Sequence, residues 1–355
     1  MRLVLVVLML FCAGPAVAQA ITPVQVLDAA VNEVIRPGVA AFKNRASGLE
    51  SAMGGLCAVP SARALSIARR QFGLAARAYG RIEFVRIGPL MEDNRADRLL
   101  FWPDRRGIGL RQVQAILAEE DAGARDVTTL REKSVAVQGF GALEFVLFGT
   151  DADALLGADG AFRCRYGQAI AASISIVADE VAMGWYRYDG VAAHLTRPVP
   201  ENADYRTETE ALEALVGLVA HGIEGLRDTR INPFIAQGEV AAKPKQALFW
   251  RSGLTMAMIA ANIEGMEALV AGSGLARAVE AEHAGLDNSI AFEFRNAYRA
   301  IGLVTLPVEQ AVADEKQAFA LDYLVIVTQS LQALIGEQLS AALGLSVGFS
   351  SLDGD

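Results

Sequence analysis

"SARALSIARRQFGLAARAYGRIEFVR", residues 61–86, decides the fold class. Leu65, Ala68, Phe72, Ala75, Tyr79, Ile82 and Arg86 step by three and four, so they share one face of a helix. "SIAFEFRNAYRAIGLV" (289–304) and "FALDYLVIVTQSLQALIGEQLSAAL" (319–343) repeat that period. Runs with strand alternation are few, short and without hairpin turns. The breaks carry Pro and Gly: "RIGPLMEDN" (86–94), "WPDRRGIG" (102–109), "LTRPVPEN" (195–202) and "RINPFIAQGE" (230–239). The fold class is all-α.

The chain has 355 residues and opens with "MRLVLVVLMLFCAGPAVAQA". Arg2 followed by the apolar run Leu3 to Phe11, too short to span a bilayer, reads as a signal peptide over 1–20. Phe11 before Cys12 is too bulky for a good lipoprotein signal, so no lipid anchor is expected. The expected location is the periplasm. Removing 1–20 takes away Arg2 and no acid, moving the formal charge from −9 to −10. Such acidity argues against nucleic acid and anionic lipid as partners, because both need clustered Lys and Arg.

Cys57 and Cys164 are the two cysteines left after cleavage, and in an oxidising compartment a lone pair defaults to a disulfide. The three histidines, His194, His221 and His283, lie far apart, and no Cys/His cluster of zinc spacing occurs. A P-loop, an H-E-x-x-H and a dinucleotide fingerprint are all missing.

An ordered echo divides the chain. "YGRIEFVRIGP" is followed by "RLLFWPDRRG", and "HGIEGLRDTRINP" by "QALFWRSG". Ile-Glu, Pro, Leu-Phe-Trp, Arg and Gly recur in that order, which suggests two related halves. With the linker at 196–208, the expected organisation is a helical bundle over 21–195 and a second over 196–355.

"VAVQGFGALEFVLFG" (135–149) carries one carboxylate, Glu144, in an otherwise apolar helix. A buried carboxylate is costly unless paired, hydrogen-bonded or bound to a cation. It is either half of an ion pair with an arginine or a ligand for a metal or substrate. Glu83 poses the same question, and its simpler reading is a local pair with Arg86 three residues on. Arg105 and Arg106, beside Trp102, belong to an arginine cluster that can hold an anion or tie up neighbouring aspartates. His221 and Glu224, three apart on one helix face, make a workable metal pair or a structural contact.

Taken together, these residues resemble the imelysin-like family of bacterial envelope proteins. "EFVRIGP" (83–89) looks like its E-x-F/Y-R-F-G-P segment, "FWPD" (101–104) like its later Trp-Pro, and "GFGALE" (139–144) like its G-x-H-x-x-E. The resemblance implies two packed four-helix-type bundles, association with iron uptake, and binding of iron or another divalent cation. It also implies possible envelope partner proteins, and it carries a peptidase name. Gly139 and Glu144 match, while Gly141 stands where the histidine belongs and has no ligand atom. That leaves Glu83 and Glu144 as oxygen ligands, expected to share one polar cavity with Arg86 in pairing distance of at least one. The expected function is binding of a metal ion or other small ligand. The alternatives are an imelysin-type metallopeptidase and a metal-free scaffold or anion binder using Arg86, Arg105 and Arg106.

Overall fold

The computed structural model describes residues 21–104 and 106–346; the expected signal peptide and Arg105 lie outside them. Among the described residues there are helices and turns, and one isolated bridge between Gln237 and Val240 in place of any strand.

Helix α1 (Pro23–Ala29) starts at a capping box, in which Thr22 and Gln25 satisfy each other's backbone N–H groups. It runs through a wider turn into α2 (Arg36–Ala58). α3 (Ala62–Gly80) is capped by Ser61, whose side chain accepts from the Ala64 N–H at 3.2 Å. Its buried residues include Leu65, Ala68, Phe72, Ala75 and Tyr79, the face expected from the sequence.

That face ends sooner than expected. The helix stops at Gly80, and residues 81–84 form a turn, so Glu83 and Arg86 do not share a helix. The cause is a distant contact. A Cβ on Gly265 would lie 2.0 Å from the Arg81 carbonyl oxygen, so backbone meets backbone there without a side chain between. Asn262 then donates to the Gly80 carbonyl at 2.7 Å, taking up a terminal acceptor that a continuing helix would have used.

α4 (Ile108–Glu119) leads to α5 (Phe140–Phe148), which buries Phe140, Ala142, Leu143, Glu144, Phe145, Val146 and Leu147. Burial on every side fits a central helix rather than an amphipathic surface one. α6 (Ala161–Trp185) packs on α2, α5 packs on both α3 and α6, and these form the first helical group. Cys57 at the end of α2 and Cys164 near the start of α6 form the expected disulfide, 107 residues apart in sequence.

The second group comprises α7 (Glu208–Gly225), α8 (Thr255–Ser273), α9 (Gly285–Leu303) and α10 (Glu315–Gln332). α7, capped by Thr207, packs on α8 and α10, and α9 packs on α8 and α10. α3 crosses to α8, and α1 leans on α7 and α8, so one continuous apolar core runs through both groups. The echoed glycines are both points of close approach to α8. A Cβ on Gly80 would sit 2.9 Å from the Met258 sulfur, and one on Gly222 2.8 Å from the Met266 sulfur.

Candidate functional site

A cavity of about 650 Å³ opens between segment 101–145 of the first half and segment 228–251 of the second. Its walls include Trp102, Gly141, Glu144, Phe145, Trp250 and Arg251. The volume lies within the ~300–1,000 Å³ usual for small-molecule sites. Both tryptophans of the Leu-Phe-Trp echo therefore face the same space.

Glu144 reaches this wall from the middle of α5 and is only 5 % exposed. Its neighbour is the tight turn 249–254, where Phe249 adopts a left-handed φ of 58° and Gly253 one of 68°. Phe249 is held in that costly conformation by edge contacts with the rings of Phe72 and Phe140, at 5.5 and 6.5 Å. The turn aims backbone donors inward, as such concave runs of N–H groups do. Ser252 donates to Glu144 Oε1 twice, from its N–H at 2.9 Å and its hydroxyl at 2.8 Å. Burial pushes the Glu144 carboxyl above the usual carboxylate range, opposed by the Ser252 hydrogen bonds and then by the charge of Arg251. The acid's partners thus come from a turn more than 100 residues away, not from an arginine ion pair.

Glu83 has a different setting. Arg230 Nη2 donates to both of its carboxylate oxygens, at 3.2 and 3.3 Å, and each of these side chains is 11 % exposed. Asn262 adds a third bond at 2.8 Å. Arg230 also lies over the Trp102 ring at 6.0 Å, and Trp102 Nε1 donates to the Thr229 carbonyl at 2.9 Å. Glu83 does not line the cavity; its pair with Arg230 stands behind Trp102, which does.

Two expectations are thereby corrected. Glu83 and Glu144 do not share one cavity, and Arg86 is paired with neither. Arg86 is exposed, because the turn at 81–84 carries it away from the face it would have occupied on a longer helix. Among the other expected residues, Arg106 is exposed and its carbonyl accepts from Arg111, while Arg105 is outside the described residues. His221 and Glu224 lie on α7 with Nδ1 and Oε2 3.8 Å apart, and neither lines the cavity. Arg230, Phe249, Arg251, Ser252 and Asn262 went unrecognised in the sequence. Arg251 and Ser252 do stand within the quoted "LFWRSG", immediately after the echoed tryptophan.

Three carboxylates line the cavity, and all are engaged. Asp104 accepts the N–H groups of Ile108 at 2.7 Å and Leu110 at 3.2 Å, starting α4. Asp228 is held by Arg227 at 3.0 and 3.2 Å and by Asn232 at 3.0 Å. Among the described residues no group of three or more His, Cys, Asp or Glu side chains is placed to hold a metal ion. The donor set does not fit a resident metal, since such a site needs several convergent ligands. Gly141 supplies space where a ligand atom was missed: a Cβ there meets nothing within 4 Å. No G-x-S-x-G elbow is expected from the sequence, although those letters do occur at 344–348; Ser346 donates to Glu213 at 2.7 Å, and residues 347 and 348 lie outside the described residues.

Two solved structures share this architecture. An imelysin-like protein from Psychrobacter arcticum 273-4 superposes with a TM-score of 0.76 at 18% identity, covering 93% of this chain and 98% of its own. A candidate iron-regulated protein A precursor from Parabacteroides distasonis ATCC 8503 gives 0.68 at 13% identity, with 88% and 95% covered. No curated protein matches the sequence. The sequence profile of the imelysin peptidase family (Peptidase_M75, Imelysin) matches residues 35–338, and the chain belongs to that family.

Proposed function

We propose that the protein is a periplasmic binding protein that takes a small organic ligand into the cavity between Trp102 and Trp250, in connection with iron uptake. The observation that carries this reading is the cavity itself. It is of ligand size, walled by two tryptophans, and floored by a buried acid that no cation neutralises by direct contact. The link to iron rests on the family and on the description of the Parabacteroides relative as iron-regulated. The location rests on the signal-like stretch at 1–20.

A metal-dependent peptidase would need a metal with an open coordination position and a general base beside it. The engaged carboxylates and the glycine at 141 supply neither. Purification from the envelope without chelators, followed by elemental analysis and mass spectrometry of extracted small molecules, tests the reading. The expected result is a discrete organic compound and less than one metal per chain. One tightly held metal per chain, with metal-dependent casein hydrolysis, would replace this reading with the peptidase.

A further inference from the structure

The charged groups of the cavity divide unevenly. Its three acids are committed, Asp104 to the start of α4, Asp228 to Arg227 and Asn232, and Glu144 to Ser252. The side chains of its three cations, Lys243, Lys245 and Arg251, form no hydrogen bond or close ion pair among the described residues, although Glu144 feels the charge of Arg251. Two of them lie against aromatic rings. Lys245 lies over Trp250 at 5.6 Å, and the Arg251 guanidinium lies 4.5 Å from the Trp250 centroid and 5.5 Å from that of Phe145.

A guanidinium laid against aromatic faces keeps its N–H donors around its own edge, directed in its plane. It is a planar fork already fixed in place, and a carboxylate is the group that matches it with two parallel bonds. Stacking also sets it beside apolar surface, so the matching compound has a flat apolar body next to its charge. The exposed Lys243 and Lys245 lie on the same wall and favour entry of negative charge. Glu144 opposes an arriving anion less than a solvated carboxylate would, because Ser252 already binds Oε1 and burial favours its proton.

We infer that the cavity takes an organic carboxylate with a flat apolar portion, its carboxylate held by Arg251 and its ring portion laid among Trp102, Phe145 and Trp250. This assignment rests on the reading of the cavity as a small-ligand site. It names a ligand class rather than a metal, and Arg251 as the residue that selects it.

The test uses the mature chain with 2-naphthoate, its neutral partner 2-naphthamide, and inorganic phosphate, in calorimetric titrations. Wild type is expected to bind 2-naphthoate roughly tenfold or more tighter than the amide, the loss of one charge-assisted contact. Arg251→Gln should weaken naphthoate binding by about the same factor and leave amide binding unchanged, with Arg251→Lys in between. Circular dichroism melts of both variants establish that they are folded. Equal binding of acid and amide, or an Arg251→Gln variant that binds the acid as wild type does, overturns the carboxylate assignment and leaves the cavity reading standing. Displacement of naphthoate by phosphate at equal concentration overturns it too, in favour of a phosphate site. Binding of none of the three overturns both.

Discussion

Glu83 and Glu144 sit in the same half of the chain, both poorly exposed, both expected from sequence to be ligands of one site. The structure gives them opposite settings. Glu83 is closed off by charge, with Arg230 on both oxygens and Asn262 on one. Glu144 is held through one oxygen by a serine, and its helix lines a cavity. Burial alone therefore says little about what an acid does. What matters is whether its neighbours complete its coordination or leave part of it facing open space. The first arrangement ties together two halves of a fold, and the second leaves chemistry available to a ligand.

The largest expected effect is on the closed acid. Glu83→Ala strands the Arg230 guanidinium in a mostly buried place, and denaturant titration should show a loss of ~3–5 kcal/mol. Arg230→Ala should cost a similar amount, and the double variant less than the sum, since both single changes break one pair. A loss below ~1 kcal/mol for Glu83→Ala, the range of solvated pairs, would erase the contrast with Glu144.

Next comes Gly139, which precedes Phe140 at the start of the Glu144 helix. A Cβ on Gly139 would lie 2.3 Å from the Leu99 carbonyl and 2.4 Å from that of Arg98, so backbone must move. Gly139→Ala should destabilise by ~1–3 kcal/mol, as overpacking does, and displace Glu144 from Ser252. If Gly139→Ala melts like wild type, the placement of α5 against that segment is wrong.

A smaller effect separates Glu144 by pH. Its folded pKa is raised, mainly by burial, so ionisation costs more in the folded than in the unfolded state. Below the unfolded value that cost is absent; it grows as pH rises through the folded value, lowering stability. Glu144→Gln removes the titration. Melting temperatures taken from acid to neutral pH should show wild type losing ground to the variant as pH rises. A constant gap across that range would mean that the acid is solvated and not buried.

The smallest effect is at Gly141. Its Cβ meets nothing and its φ is not in the left-handed region, so Gly141→Ala should stabilise by ~0.4–1 kcal/mol through the unfolded chain. Destabilisation instead would show that the space beside Glu144 is already filled.

Much of this was legible in the sequence. Periodicity found the buried face of α3 as far as Tyr79 and the mostly buried Glu144 helix, because both are local properties of spacing and hydropathy. The disulfide followed from the lone pair of cysteines beyond residue 20. The echo marked Trp102 and Trp250, and both line the cavity. The site's wiring was not legible because it is made of long-range contacts. Helix α3 stops at Gly80 on account of α8, Glu83 finds Arg230 at a separation of 147 residues, and Glu144 finds Ser252 at 108. Local spacing had offered Arg86 as the nearest cation to Glu83. The backbone turn that removes it is imposed from 182 residues away, where no pattern within 61–86 could record it.

The most direct test of the contrast is the small-molecule content of three proteins recovered from the same cells: wild type, Glu83→Gln and Gly141→Trp. Native mass spectrometry reads it, provided that circular dichroism shows each protein folded. An indole at 141 enters the open space beside Glu144, so the account predicts a bound organic mass on wild type and on Glu83→Gln, and none on Gly141→Trp. The same mass retained by Gly141→Trp, or lost from a folded Glu83→Gln, would contradict it.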